Sequence, residues 1–206
     1  MPLIHPTVHL AQPTLVTRPF HREGWVYEEK VDGYRMVAYK SAGKVKLISR
    51  NGRDHSQRFA GIAEAIRLIP EATLVLDGEV AIYDQRLVSR FEWMRHHAPP
   101  ELATPPLFMA FDCVRIERKD LRPNPLYVRR NILEELLYKQ DQVLPVRRLA
   151  DDGLKAWQQV LEGGWEGYVA KDPQSPYVGG RTLKWLKVKQ RHYRVEERGW
   201  DSRNKS

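Results

Sequence analysis

The chain has 206 residues, 42% of them hydrophobic, and a formal net charge of +8. That length suits one large domain or two small ones with a real core, and the single cysteine, Cys113, excludes an internal disulfide and fits a reducing compartment. No apolar run approaches the roughly 20 residues of a membrane span and residues 1–21 hold no apolar signal core, so a cytoplasmic protein with no membrane partner is expected.

In chain order, residues 25–31, 35–40 and 44–49 read as short strands, the last two joined at Ser41-Ala42-Gly43. Phe59, Ile62, Ala63, Ile66 and Ile69 recur at helical spacing over residues 56–69, and Pro70 closes that helix. Residues 73–83 read as strand, turn, strand around Asp77-Gly78. Residues 91–97 form a short helix, followed by a loop rich in proline (Pro99, Pro100, Pro105, Pro106). The near-continuous apolar run 107–116 predicts a buried strand that takes in Cys113. Residues 126–139 predict an amphipathic helix, 143–149 a strand and 154–161 a helix. Residues 167–171 and 182–190 close the pattern as strands. There is no internal repeat. Strands and helices mixed in this order argue for an α+β domain.

The charge is unevenly placed. Residues 181–206 hold nine Lys/Arg against three acids, a net +6 of the total +8. A basic terminus of this kind suggests a polyanionic partner. The bland alternative, a solubilising tail, carries most weight beyond Gln190.

Five short runs hold residues suited to phosphate chemistry. Lys30-Val31-Asp32-Gly33-Tyr34-Arg35 follows an apolar, strand-like segment and sets a lysine beside a carboxylate, a glycine and an arginine. Ser49-Arg50-Asn51-Gly52 ends a strand in an arginine and a turn. Asp77-Gly78-Glu79 puts carboxylates in an apolar setting. Glu166-Gly167-Tyr168-Val169-Ala170-Lys171 has a carboxylate and a lysine at opposite ends of a strand. Trp185-Leu186-Lys187-Val188-Lys189 alternates, so its two lysines share a face. Each alone has an ordinary reading: Asp-Gly is a common hairpin turn, and alternating lysines often guard edge strands. Five in this order are strong.

Together with Phe111-Asp112, these runs resemble those of ATP-dependent DNA ligases, over roughly residues 10–190. Lys-x-Asp-Gly alone is shared with RNA ligases, NAD-dependent ligases and mRNA capping enzymes. The Ser-Arg-Asn-Gly and Trp-x-Lys-x-Lys runs narrow the resemblance to the ATP-dependent DNA enzymes. It implies the nucleotidyltransferase fold of the DNA ligase/mRNA capping enzyme type (ATP-grasp-like), an α+β domain with antiparallel sheets flanked by helices. It implies ATP as cofactor, Mg2+ or Mn2+, and nicked or broken double-stranded DNA as partner.

By the same resemblance Lys30 is the nucleophile that attacks the α-phosphate of ATP to give lysyl-AMP. A free lysine is only about 0.1% neutral near pH 7.5, so the site is expected to lower its pKa. Glu28 accepts the adenine amino group, Phe111 stacks on the base, and Arg35 and Arg50 contact ribose or phosphate. Glu79 and Glu166 are the metal-associated carboxylates. Lys171 and Lys187 neutralise charge on the phosphorus oxygens and the leaving pyrophosphate, with Lys189 beside them. Asp32 shapes the turn and polarises Lys30. AMP then passes to a DNA 5′-phosphate, and a 3′-hydroxyl seals the nick in repair or end joining.

Most members continue past the last lysine run into a small OB-type barrel. About sixteen residues follow Gln190 here, too few for five strands of about five residues each. The expectation is an adenylation domain over residues 1–190 and a basic tail over 191–206 that partly replaces the barrel in contacting DNA, with a separate DNA-binding or end-joining protein as a further partner. Two other readings remain open from the sequence: an RNA ligase or end-adenylating enzyme, and a non-catalytic nucleic-acid-binding subunit.

Overall fold

The computed structural model describes residues 8–95, 103–190 and Tyr193. Two sheets stack face to face. The first has the strand order β1 (Ala11–Leu15), β10 (Gly180–Lys189), β9 (Gly167–Lys171), β2 (Val26–Glu29). The second runs β4 (Lys44–Ser49), β3 (Tyr34–Ser41), β5 (Thr73–Ala81), β6 (Leu107–Ile116), β7 (Lys119–Asp120), with β8 (Val143–Pro145) also paired to β6. The sheets are not wholly antiparallel as expected: β1 lies parallel to β10, and β8 parallel to β6.

Period-2 alternation divides each strand between two layers. Met36, Ala38, Leu74 and Leu76 pack against α1 (Ala60–Leu68) and α2 (Leu126–Leu137) through Ile62, Ile66, Leu133 and Leu137. Val37, Tyr39, Val75 and Val114 point the other way and meet Trp185 of the first sheet. That sheet's far face carries Tyr27, Tyr168, Ala170 and Val188, which pack on Ala156 and Val160 of α3 (Gly153–Gly163). The resulting order of layers is helices, sheet, sheet, helix. The helix α3 starts at Asp152, whose carboxylate accepts from the Leu154 and Lys155 amides at 2.9 Å each, and stops at Gly164 with φ 67°.

Several elements differ from the sequence reading. Asp77-Gly78 is no turn: residues 73–81 form one strand, because Asp77 is buried against Arg35 and Tyr177 and needs no solvent. The short helix at 91–97 is a 3-10 turn over Phe91–Met94; residues 96–102, which include Pro99 and Pro100, lie outside the described residues. The strand predicted at 143–149 ends at Pro145, and its continuation meets β2 as an isolated bridge from Arg148 to Glu28, flanked by the Glu29 amide donating to the Arg147 carbonyl and the Leu149 amide to the Tyr27 carbonyl. β1 and β7 carry no alternation signal and do not figure among the expected strands. Finally, the ordinary hairpin reading of Asp32-Gly33 is overturned, since β2 and β3 belong to different sheets. The segment between them is the passage from one sheet to the other.

Candidate active site

Register places the charged residues. Across the first sheet Glu28 pairs with Val169 and Val169 with Lys187, Val26 with Lys171 and Lys171 with Trp185, and Gly167 with Lys189. Residues directly opposite share a face, so Glu28, Lys171, Lys187 and Lys189 all look toward the second sheet. Lys30 joins them one residue past β2, its amide still donating to the Gly167 carbonyl at 2.9 Å. Only glycine fits at 167, where a Cβ would collide with the Val188 carbonyl. Gly33 is required in the same way: a side chain there would strike the Val80 carbonyl and lift the Lys30–Gly33 passage off β5.

On the facing sheet Arg35 pairs with Glu79, and Asp77 lies two residues before Glu79 on the same side. In the β5–β6 ladder Asp77 pairs with Asp112 but Gly78 with Ala110, so Phe111 is the extra residue of a bulge. Bulges re-phase a strand; alternation runs through Met109 and Phe111 and changes phase beyond them, with Cys113 on the face of Phe108 and Ala110. A cavity of about 300 Å³ lies between the sheets, and Glu28, Lys30, Arg35, Arg50, Glu79, Phe111, Lys171 and Lys187 all line it. Glu166 and Lys189 are not in its wall but stand behind Lys30.

At the Lys30 end, the Lys30 amine donates to Glu166 Oε2, while Lys189 Nζ lies 2.5 Å from Glu166 Oε1. Burial opposes the charge on Lys30, but Glu166, Glu79 and Asp32 outweigh it and raise its pKa. The expectation of a depressed lysine pKa is therefore not met: three carboxylates surround the amine. They carry the strain of that arrangement themselves. Burial first, then Glu166, pushes Asp32 up to about 6, and burial pushes Glu79 up to about 7 against the attraction of Lys30 and Arg35. Glu166, gripped by two lysines, stays below the usual range despite its burial. Burial and the neighbouring charges of Lys30 and Lys189 hold the Lys187 amine down. Among the described residues no three His, Cys, Asp or Glu side chains form a metal cage.

At the other end, Glu28 is almost fully buried and held by two cations. Its Oε1 accepts from Arg130 Nη1 at 3.0 Å, and its Oε2 lies 2.5 Å from Lys171 Nζ. Lys171 is thus committed to Glu28 and to the faces of Phe111 and Trp185, 4.9 and 4.2 Å from the ring centroids, rather than to the phosphate side expected for it. Arg35 is forked by Asp77 at 3.0 and 2.6 Å and lies 4.9 Å over the Phe111 ring. Asp77 in turn accepts from Tyr177 Oη at 2.5 Å.

Three residues of these networks escape the sequence reading. Asp77 is visible in it, but with the local pattern of a turn. Tyr177 lies in a loop without periodicity. Arg130, with Arg129, occupies the buried stripe of α2 beside Leu126, Leu133 and Leu137; two arginines at apolar-stripe positions are the available signal. Of the predicted tail only Tyr193 is described, and its hydroxyl donates to the Ser89 carbonyl at 3.3 Å; the rest lies outside the described residues.

Residues 8–189 match the family model described as ATP dependent DNA ligase domain. The chain is 32% identical over 174 residues to the multifunctional non-homologous end joining DNA repair protein LigD of Mycobacterium tuberculosis (strain ATCC 25618 / H37Rv), covering 84% of this chain and 22% of that protein. It is also 32% identical over 206 residues to DNA ligase C1 of Mycolicibacterium smegmatis, covering 94% of this chain and 58% of that one. Among solved structures, a mycobacterial DNA ligase D complexed with ATP and MES superposes with a TM-score of 0.77 at 31% identity, covering 88% of this chain and 60% of that one. The chain therefore spans less than two thirds of the length of each of these relatives.

Proposed function

Because the chain belongs to the ATP-dependent DNA ligase domain family, we propose that residues 1–190 act as its adenylation domain, with Lys30 as the nucleophile toward ATP. The fold is that of DNA ligase nucleotidyltransferase domains. The observation that carries the proposal is the placement of Lys30. Its amine stands among Glu166, Glu79 and Asp32 on the face that also bears Glu28, in a cavity whose opposite wall supplies Arg35 and Phe111.

In the proposed first step a bond forms between Lys30 Nζ and the α-phosphorus, the bond to the bridging oxygen breaks, and pyrophosphate leaves with the electron pair. Lys30 must shed its proton to do this, and Asp32 at about 6 and Glu79 at about 7 are nearby acceptors poised near neutrality. Glu28 takes the adenine amino group, and Phe111 packs on the base. Arg35 and Arg50 serve the ribose and phosphates, and Lys187 faces the leaving group. Lys189 keeps Glu166 ionised. Glu79 and Glu166 are the carboxylates that would hold a divalent ion, with substrate phosphates and water completing its oxygen ligands; such an ion would neutralise charge on the phosphate oxygens. AMP then passes to the 5′-phosphate of nicked or broken double-stranded DNA and a 3′-hydroxyl displaces it. A role in end joining follows the name of the M. tuberculosis relative, and a separate DNA-binding or end-joining protein is a compatible partner.

Incubation with ATP labelled at the α-phosphate and a divalent cation, followed by denaturing electrophoresis, tests the first step. The wild-type chain becomes covalently labelled and Lys30→Ala does not. Label retained on Lys30→Ala would remove the assignment. Sealing of a nicked duplex is assayed separately, since it needs both later steps.

A further inference from the structure

We propose that Arg130 is a positioning residue for base selection: through its bond to Glu28 it fixes the direction in which that carboxylate's oxygens meet the base, so that the cavity takes a 6-aminopurine nucleotide and rejects a 6-oxopurine one. The inference rests on the reading of Glu28 as the group that meets the base. Arg130 belongs to none of the five phosphate-binding runs, and it is not among the residues that line the cavity.

Arg130 and Glu28 side chains are each 3% exposed. A carboxylate so deeply buried ionises only where cations and hydrogen bonds replace water. The next residue shows what happens otherwise. Glu29 is equally buried, its nearest cation is Arg147 at 3.6 Å, and burial pushes it up to about 7. Glu28 instead receives Arg130 on one oxygen and Lys171 on the other. Arg130 is itself immobilised from three sides. Its Nη2 donates to the Val146 carbonyl at 2.5 Å, its Nε to Glu134 at 2.7 Å, and its Nη1 to Glu28. Behind this group, Arg148 lies 3.1 Å from Glu134, and Asp112 interacts with Lys171. The carboxylate therefore has a fixed direction.

Chemistry supplies the rest. An ionised carboxylate offers lone pairs and no proton. An exocyclic 6-amino group donates to it; a 6-oxo group presents acceptor to acceptor and is repelled, a discrimination by unfavourable pairing. Without Arg130, Glu28 loses the bond that fixes its direction and can turn away from a 6-oxo group, which relieves the unfavourable pairing. Lys171 supports the same charge but lies in the cavity wall, so its replacement would disturb the ligand directly. Arg130 lies outside the wall and meets it through Glu28 and the Val146 carbonyl.

The test is covalent labelling with α-labelled ATP and α-labelled GTP, at several concentrations of each, for the wild type, Arg130→Met and Arg130→Lys. The wild type prefers ATP; Arg130→Met loses that preference by about tenfold or more, with a raised apparent KM for ATP, and Arg130→Lys recovers part of it. An Arg130→Met protein that labels weakly but keeps the wild-type ATP-to-GTP ratio overturns the proposal, because a merely structural arginine lowers both alike. Should Arg130→Met not fold, Arg130→Gln, which keeps a polar side chain but loses the charge and the fork, reports on the same point. A collapse of its ratio supports the proposal, and an unchanged ratio overturns it. A wild type that takes no label from ATP would overturn the adenylation reading, and this inference with it, whereas a labelled wild type with an unchanged variant ratio overturns the inference alone.

Discussion

Glu28 and Glu29 leave β2 on opposite faces, and that alone gives them different chemistry. Glu28 turns into the cavity and meets two cations. Glu29 keeps one oxygen without a hydrogen bond, as does the buried hydroxyl of Tyr83 that interacts with it. Its folded pKa of about 7 lies above the 4.5 of a free glutamate. Between those values the folded chain binds more protons than the unfolded chain, so stability falls as pH rises through that window and levels off above it. The loss amounts to about 3 kcal/mol at most, from about 1.4 kcal/mol per pH unit. Glu29→Gln removes the ionisation. Urea unfolding at a series of pH values should show the variant more stable than the wild type by about 1–3 kcal/mol at pH 8, with the gap closing toward pH 4.5. Two parallel curves would show that Glu29 is not the titrating group. Other carboxylates raised by burial, Asp32 and Glu79, slope the same way in both proteins and cancel in the difference.

Helix α2 illustrates what a pattern of apolar positions conveys and what it hides. Its existence and extent are legible from Leu126, Ile132, Leu133 and Leu137. The same stripe carries Arg129, fully buried with Asp112, its guanidinium forked onto that carboxylate at 2.7 and 2.9 Å and its Nη1 on the carbonyls of Asn124 and Ser175 at 2.5 and 3.0 Å. One side chain thus ties α2 to β6 and to the loop that delivers Tyr177. Removing one partner of a buried pair strands the other charge, so Arg129→Met should lower the unfolding free energy by about 3–5 kcal/mol. Pairing it with Asp112→Leu should restore much of that loss. Denaturant midpoints of the single and double variants decide the matter; a single-variant loss below about 1 kcal/mol would mean that the pair does not hold the element in place. Strand β5 teaches the converse. Asp77-Gly78 satisfies every local rule for a turn, yet the carboxylate is neutralised by Arg35 from β3 and hydrogen-bonded by Tyr177 from far along the chain. A local pattern contains neither partner, so the turn is the natural reading and the wrong one.

At the scale of the molecule, the residues of the cavity are legible because each lies in a short run at a strand or its end, where identity and spacing suffice. Their division into a Lys30–Glu166 end and a Glu28–Lys171 end is not, because it depends on the register of three strands and on a bulge at Phe111. The charge distribution divides in the same way. Sequence alone places nine cations and three acids in residues 181–206, but the fold commits some of those cations internally. Lys184 pairs with Asp172 at 2.9 Å, and Lys189 with Glu166 at 2.5 Å. Arg181 and Lys187 line the cavity, and five of the nine lie beyond Gln190. If those five serve the phosphates of DNA, removing any one of them flattens the salt dependence, by about 0.9 in the slope of log affinity against log salt concentration. Binding of the full chain and of a chain ending at Gln190 to one nicked duplex, between about 50 and 200 mM salt, measures this directly. The shortened chain should bind more weakly at the low-salt end, with a slope smaller by about 1 to 4, and the two lines should converge as salt screens the difference. Arg50→Ala in the full chain, which removes a single exposed guanidinium at the cavity rim, sets the scale at about one neutralised phosphate. Equal slopes for the full and shortened chains, with a reduced slope for Arg50→Ala, would assign polyanion binding to the cavity rim and leave residues 191–206 out of it.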